Sequence, residues 1–412
     1  MKARPGLLHP DSPPWLEVYQ LTTDTHVPGS HVYMEAQIFA PDSRRLVLHR
    51  SAHAHGGDQH DPEHRYLLCD LEQGGELAPL TTETGATAPS VSPDGQHLYY
   101  FVDETEVCGG RLTLKRVRLD GTQRETLLVV DAPLAGTDLR PSLIYPLSTI
   151  SSDGKRLALP AFLRYGERED LPWGLLAFDV EEGDVSVVMY GSDWTNIHAQ
   201  YCRSLDPDAS HDILCQHNHS HFFDRTGGRH FSPGGLGNDI HVIRDDGTHW
   251  RTMPWGRDGR ERQAGHECWI GRSTRAISEV MDLATGEMRL IEGTAGSFAG
   301  HIGALTPGAR RNDLSRSFPN PHFVHFGVDI AGRRIIADQY AAPPSPDVWI
   351  SLADLPSDGS SPASNWTPLL SVRSPWSKDT HAHPFLSPDG RTGFFNSAES
   401  GILQAYMVRG WS

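Results

Sequence analysis

Seven times along this chain a short apolar stretch runs into an Asp- or Gly-bearing turn and returns as a second apolar stretch. Two copies share their opening letters, LTTDTHVPGSHVYMEAQIFAPDSRRLVLH (21–49) and LTTETGATAPSVSPDGQHLYYF (80–101). The others are STISSDGKRLALPA (148–161), YCRSLDPDASHDILCQ (201–216), CWIGRSTRAISEV (268–280), FGVDIAGRRIIADQ (326–339) and PFLSPDGRTGFFNS (384–397), spaced roughly 52 to 65 residues apart. Each copy has the turn chemistry of a β-hairpin. A second turn signal (LEQGGE, LDGTQ, VEEGDV, RDDGTH, LATGEM or SDGSSP) follows and supplies two further strands per unit. Four short strands per unit and seven units predict an all-β, seven-bladed β-propeller. One blade cannot bury both faces of its sheet, so the blades must stack around an axis and the ring must close. The opening strand LEVYQLT (16–22) has no earlier partner, and is expected to become the outer strand of the last blade beside QAYMV (404–408). Residues 1–412 then form a single domain, and the even spacing speaks against a pair of β-sandwiches.

Composition narrows the partners. Lys+Arg 36 against Asp+Glu 52 gives a net charge of -16, which argues against nucleic acid or an anionic membrane as bulk partners. A locally basic cleft could still take an anionic small substrate. The five cysteines, Cys69, Cys108, Cys202, Cys215 and Cys268, lack CxxC spacing and read as reduced thiols of a cytoplasmic protein. The first twenty residues hold no apolar run of the kind a signal peptide needs, and no stretch is long and apolar enough to span a membrane.

The count of 23 histidines is high, and their placement is informative. In a propeller the innermost strand of each blade begins at the mouth of the central channel, a few residues before the repeated turn. Those positions hold Ser30 and His31 in the first unit, Asn196, His198 and Gln200 in the fourth, and His266 in the fifth. They hold His322 and His325 in the sixth and His381 and His383 in the seventh. His381-Ala-His383 places two imidazoles on one face of a strand, a pair suited to zinc, manganese or nickel. His266, His322, His381 and His383 are the candidate metal ligands. A second group, His53, His55, His60 and His64, lies in a glycine-bearing segment after the first hairpin. Tyr99 and Tyr100 end the second hairpin, and Arg116 lies on the next strand.

THAHPFLSPDGRTGFFNS, GHECW, NPHFVHFGVDIAGRRIIADQY, NIHAQYCRSLDP and YMEAQIFAPDSRRLVL resemble segments of the oligogalacturonate lyases, and together they cover most of the chain. The resemblance implies a seven-bladed propeller that cleaves uronic-acid oligosaccharides by β-elimination. It also implies a divalent cation, usually manganese, held by histidines and a glutamine. His266, His381 and His383 match three of those ligands. Lys378 stands where the glutamine is expected, and a lysine cannot act as a neutral oxygen ligand; His322 is the expected substitute. A looser resemblance, to the ulvan and rhamnose-glucuronate lyase propellers, implies a catalytic arrangement of His31, His53, Tyr100 and Arg116 on the opposite arc, with a structural metal site.

The chemistry has three requirements. The carboxylate beside the C5 proton of a uronate must be neutralised by a cation or an arginine, for which Arg203 and Arg116 are candidates. A base of near-neutral pKa must take the proton: His198 in the first arrangement, His53 or Tyr100 in the second. An acid or water must protonate the departing O4. Asn196 and His55 are candidate substrate contacts. The expected partner is an anionic uronate oligosaccharide, the expected cofactor manganese or zinc, and the expected state a monomer or small homo-oligomer. No GxSxG motif supports a serine hydrolase, and the inner strands offer histidines rather than the two carboxylates of a glycosidase. The rival class is a non-catalytic propeller that serves as a carbohydrate- or protein-binding platform.

Overall fold

A computed structural model describes residues 1–50, 59–164, 166, 168–232, 237–255, 260–298, 308–316, 318, 321–340, 347–357, 359, 361–373 and 381–411. Among these residues there is no α-helix; two single 3₁₀ turns, Pro5–Leu7 and Ala209–His211, are the helical pieces. The named strands all pair antiparallel, joined by turns and loops.

The first sheet runs Gly29–His31, Arg45–Arg50, Arg65–Asp70, Glu76–Pro79. The second runs Ala86–Val91, His97–Glu106, Gly109–Arg118, Glu125–Val130. The third is built from Arg140–Ile144, Thr149–Ile150, Arg156–Arg164, Trp173–Asp179 and Asp184–Gly191. A nine-stranded sheet follows. Its halves, Gln200–Thr252 and Glu261–Asp313, are joined by the single pair Asn238↔Gln263, between the third strand of one and the first of the other, with a short strand pairing, Arg251–Thr252 with Gly296–Ser297, at the edge. Next come Phe323–Val328, Arg334–Tyr340, Asp347–Asp354 and Ser364–Arg373. The last sheet is Phe385–Leu386, Thr392–Ser397, Gln404–Arg409, and its outer strands are the N-terminal Glu17–Gln20 and Lys2–Ala3. Glu17–Gln20 pairs residue for residue with Tyr406–Arg409.

The repeat has a physical signature. In every unit one backbone N–H closes the turn onto a carbonyl at 2.8–3.2 Å: Ala40 on Arg45, Ser92 on His97, Ser151 on Arg156, Cys202 on Asp212, Ile270 on Arg275, Asp329 on Arg334 and Ser387 on Thr392. In the Ser-x-Asp copies the aspartate accepts from the serine hydroxyl, as Asp94 from Ser92 (2.5 Å) and Asp389 from Ser387 (2.6 Å), and also caps a backbone N–H beyond the turn. This competition for backbone groups is what makes Ser and Asp turn formers. The glycine that follows sits at φ +69° for Gly390, where a side chain would be strained and its Cβ would meet Asp329 at 3.1 Å.

Apolar clusters lie between successive sheets. Phe101, Leu159 and Phe178 join the second and third; Phe162, Trp173, Ile213 and Cys215 the third and fourth; Leu214, Trp269 and Ile291 the two halves of the large sheet. Phe326, Ile277 and Ile335 continue the series. The last sheet packs on its predecessor through Ile350, Leu370 and Phe395, and on the first sheet through Phe385, Phe394 and Leu48. One cavity of about 320 Å³ is lined by residues from all seven repeats, among them Ile38, Val91, Ile150, Arg203, Trp269, Val328 and Leu386. The inner strands therefore face a shared axis.

Candidate functional site

The closing hydrogen bond sets a register. Four residues before its donor stand Ala36, Ala88, Leu147, His198, His266, His325 and His383. Four consecutive repeats thus present histidine at one structural position, and three present small or aliphatic residues. The backbone there is unusual. His198 and His383 both have φ +45°, Asn196 has φ +56°, and Gly265, just before His266, has φ +126°. Non-glycine residues in this region carry strain that persists only where packing enforces it, commonly at functional sites.

His325, His381 and His383 offer one nitrogen each within 4.8 Å of one another. Their ring centroids are 4.4–5.3 Å apart. His322, expected as a ligand, falls three residues out of register; it is half-buried and bridges to Met288. His325 takes its place. His266, also expected as a ligand, neighbours the trio, its ring 4.5 Å from that of His325, without belonging to it.

Two carboxylates on the second strands orient these rings. Glu279 Oε1 lies 2.5 Å from His266 Nδ1. Asp338 Oδ2 lies 2.8 Å from His325 Nδ1, and its Oδ1 accepts the His325 backbone N–H at 2.8 Å. Both stand four residues past the carbonyl of the closing bond, so one register rule places both pairs. A carboxylate on one imidazole nitrogen fixes the tautomer and turns the other nitrogen towards a ligand. His325 Nε2 is buried and has no hydrogen-bond partner among the described residues.

Burial and charge tune the groups in opposite senses. Burial pulls the His266 imidazole down, but the Glu279 carboxylate outweighs it and the net shift is upward. Burial, reinforced by the charge on His266, holds His325 well below the ordinary histidine value. Burial pushes Asp338 up to about 7, against the pull of its His325 hydrogen bond and of His381 and His266. A neutral His325 with an open Nε2, beside two further imidazoles, is a donor set that suits zinc or manganese.

A second trio lies on the turn side of the first. Glu35, His198 and Glu267 offer ligand atoms within 4.8 Å of one another, and all three residues are buried. The Tyr33 ring stands between the two groups, 4.9 Å from His383 and 5.6 Å from His198. Arg203 faces the same end of the channel and, with Glu35 and Gln200, lines the 320 Å³ cavity. A third group, Asp193, His217 and His219, sits on the fourth unit with Asp193 exposed.

The other expected residues are placed elsewhere. Tyr100 is fully buried in the cluster of the first two sheets, and its hydroxyl donates to Glu83 at 3.1 Å. Arg116 donates to Glu125 at 2.6 Å on the outer strands of the second sheet. His31 is packed edge-on against Phe385 and Phe394, with Nε2 3.0 Å from the Tyr406 carbonyl. Asn196 is half-buried two residues ahead of His198. His53, His55 and Lys378 lie outside the described residues. Glu35, Glu267, Glu279, Asp338 and Tyr33 were not singled out by the sequence patterns. For the two histidine-bound carboxylates the register of the closing bond is the signal that finds them.

No family model matches the sequence, and no curated relative does. Solved structures do match. An oligogalacturonate lyase in complex with manganese superposes with a TM-score of 0.70 at 17% identity, over 96% of this chain and 93% of that one. An oligogalacturonate lyase from Vibrio parahaemolyticus superposes with a TM-score of 0.68 at 17% identity, over 98% and 96%. The chain has the all-β propeller fold of the oligogalacturonate lyases.

Proposed function

We propose that the protein is a lyase that cleaves uronic-acid oligosaccharides by β-elimination, at the histidine end of its channel. The observation that carries this reading is the His325–His381–His383 trio with its Asp338 support, in a fold shared with a manganese-bound oligogalacturonate lyase. The reading includes one domain, 1–412, of seven four-stranded blades. Seven equivalent closing bonds and the pairing of Glu17–Gln20 with Gln404–Arg409 support that ring. It also includes action in the cytoplasm on short oligosaccharides, by a monomer or small homo-oligomer; the five free thiols support a reducing compartment.

His325, His381 and His383 would hold a divalent cation, manganese or zinc. Bound there, it would supply charge that neutralises the substrate carboxylate and acidifies the C5 proton. The chain's own residues then divide the work. His266 is the base that the geometry favours over His198, because Glu279 holds its Nδ1 and its side chain keeps 20% of its surface open. The C5 proton passes to His266 Nε2, the C5–H electrons form the C4=C5 double bond, and the C4–O4 bond breaks. The departing O4 takes a proton from solvent. Burial keeps His325 neutral, and Asp338 fixes its tautomer and aims Nε2. Tyr33, packed against His383, limits water around the trio.

The test is incubation of metal-replete enzyme with a panel of uronate oligomers and neutral oligosaccharides. New ultraviolet absorbance from an unsaturated uronide with a uronate member supports the reading. Absence of absorbance across the whole panel rejects it in favour of a binding platform.

A further inference from the structure

Three side chains from distant repeats meet on the turn side of Tyr33: Glu35 from the first, His198 from the fourth, Glu267 from the fifth. His198 Nδ1 lies 3.9 Å from Glu35 Oε2 and 3.8 Å from Glu267 Oε1. These are too long for hydrogen bonds and leave a gap between the three groups. Glu35 is 8% exposed and Glu267 1%. Oε1 of each has no hydrogen-bond partner among the described residues. A buried carboxylate oxygen without a partner costs several times what a satisfied one does. The unpartnered Glu267 Oε1 is the atom that faces His198, Glu35 faces it with Oε2, and two buried carboxyls so placed, each with an unpartnered oxygen, call for a positive ligand. Arg203, half-buried, also lines this cavity, and its single positive charge leaves the two carboxylates with an excess of negative charge. Burial accordingly pushes Glu35 up to about 8, and Glu267 well above the ordinary range. His198 has φ +45° here, a backbone angle that persists only where packing enforces it.

We infer that Glu35, His198 and Glu267 form a second divalent-cation site, stacked along the channel axis beneath the histidine trio. Two carboxylates and one imidazole are a harder donor set than three imidazoles, and they suit manganese. The cavity lined by Glu35, Gln200 and Arg203 reaches the repeat turns Pro41, Pro93 and Pro388 and supplies an entry path separate from the substrate end. The inference stands apart from the lyase reading, because it rests on a different set of residues.

The experiment is a titration of chelator-stripped full-length protein with Mn²⁺, in which free ion is counted by electron paramagnetic resonance. The wild type should take up two equivalents. Glu35→Gln/Glu267→Gln should take up one, and so should His381→Ala/His383→Ala. If the trio reading alone fails, a single equivalent remains, and the glutamate substitutions remove it. Uptake by the glutamate variant equal to that of the wild type overturns the inference. Should that variant not fold, anomalous scattering at the manganese edge from Mn²⁺-loaded wild-type crystals decides. A peak among Glu35, His198 and Glu267 supports the site, and no peak there, with the carboxyls simply protonated, overturns it.

Discussion

Asp338→Asn tests the support of the histidine trio. The wild-type carboxylate accepts two hydrogen bonds from one residue, at His325 Nδ1 and at its backbone N–H, both 2.8 Å. An asparagine keeps the shape, but it offers one oxygen and turns an N–H₂ towards the other donor. Loss of such a partner behind a ligating histidine weakens metal binding about 10–100-fold, or about 1.4–2.7 kcal/mol. In a chain of 412 residues, an unfolding entropy of about 2.1 cal/mol/K per residue amounts to about 0.9 kcal/mol/K. The stabilisation that Mn²⁺ confers should therefore shrink by about 2–3 °C. Metal-stripped protein should also lose about 1–3 kcal/mol, the cost of a buried donor left without an acceptor, and the loss of Mn²⁺ affinity comes on top of it. Scanning calorimetry of stripped and Mn²⁺-loaded forms separates the two effects. Unchanged manganese affinity in Asp338→Asn would refute the reasoning.

Three further outcomes are expected. His266→Ala should lower turnover by roughly 10²–10⁴, the worth of a general base, with bound manganese per chain unchanged by elemental analysis. Deletion of residues 1–22 strips Leu16, Val18 and Leu21 from the last sheet. At ~1.5–3 kcal/mol per buried side chain the loss is about 5–9 kcal/mol, enough to abolish a cooperative melt at room temperature in most domains. Burial pushes Glu83 up, but Lys115 and nearby backbone N–H groups outweigh it and hold the carboxyl down at about 2. Its stabilising effect is thus full above its unfolded value of 4.5 and is lost as pH falls through about 2. Glu83→Gln should be less stable than wild type at neutral pH, and the gap should close on acidification in urea melts.

Much of the architecture could be read from the turns, because Ser-x-Asp-Gly carries its own hydrogen bonds and its glycine its own backbone angle. The histidine-bearing repeats could be read for the same reason. The choice of His322 over His325 failed on register: a bulge between Phe323 and Phe326 shifts the strand, so counting from the nearest motif misleads. Counting back from the turn-closing bond does not. Glu279 and Asp338 were hidden because their partners are across a strand pair rather than nearby in sequence. Tyr100 and Arg116 looked catalytic by order along the chain. Strand alternation sends Tyr100 into the core, where Glu83 receives its hydroxyl, and Arg116 to Glu125 at the sheet's outer side. Glu35 and Glu267 carry no motif; only the tertiary packing of distant repeats brings them to His198.

The most direct measurement is mass spectrometry of the products formed from a purified oligogalacturonide or oligoglucuronide in ¹⁸O-labelled water. Elimination through His266 should give fragments whose new non-reducing end is lighter by one water and absorbs in the ultraviolet. It should place no ¹⁸O at the cleaved linkage. Fragments with a saturated new end and one ¹⁸O atom from solvent would show hydrolysis instead, and would contradict β-elimination at this site.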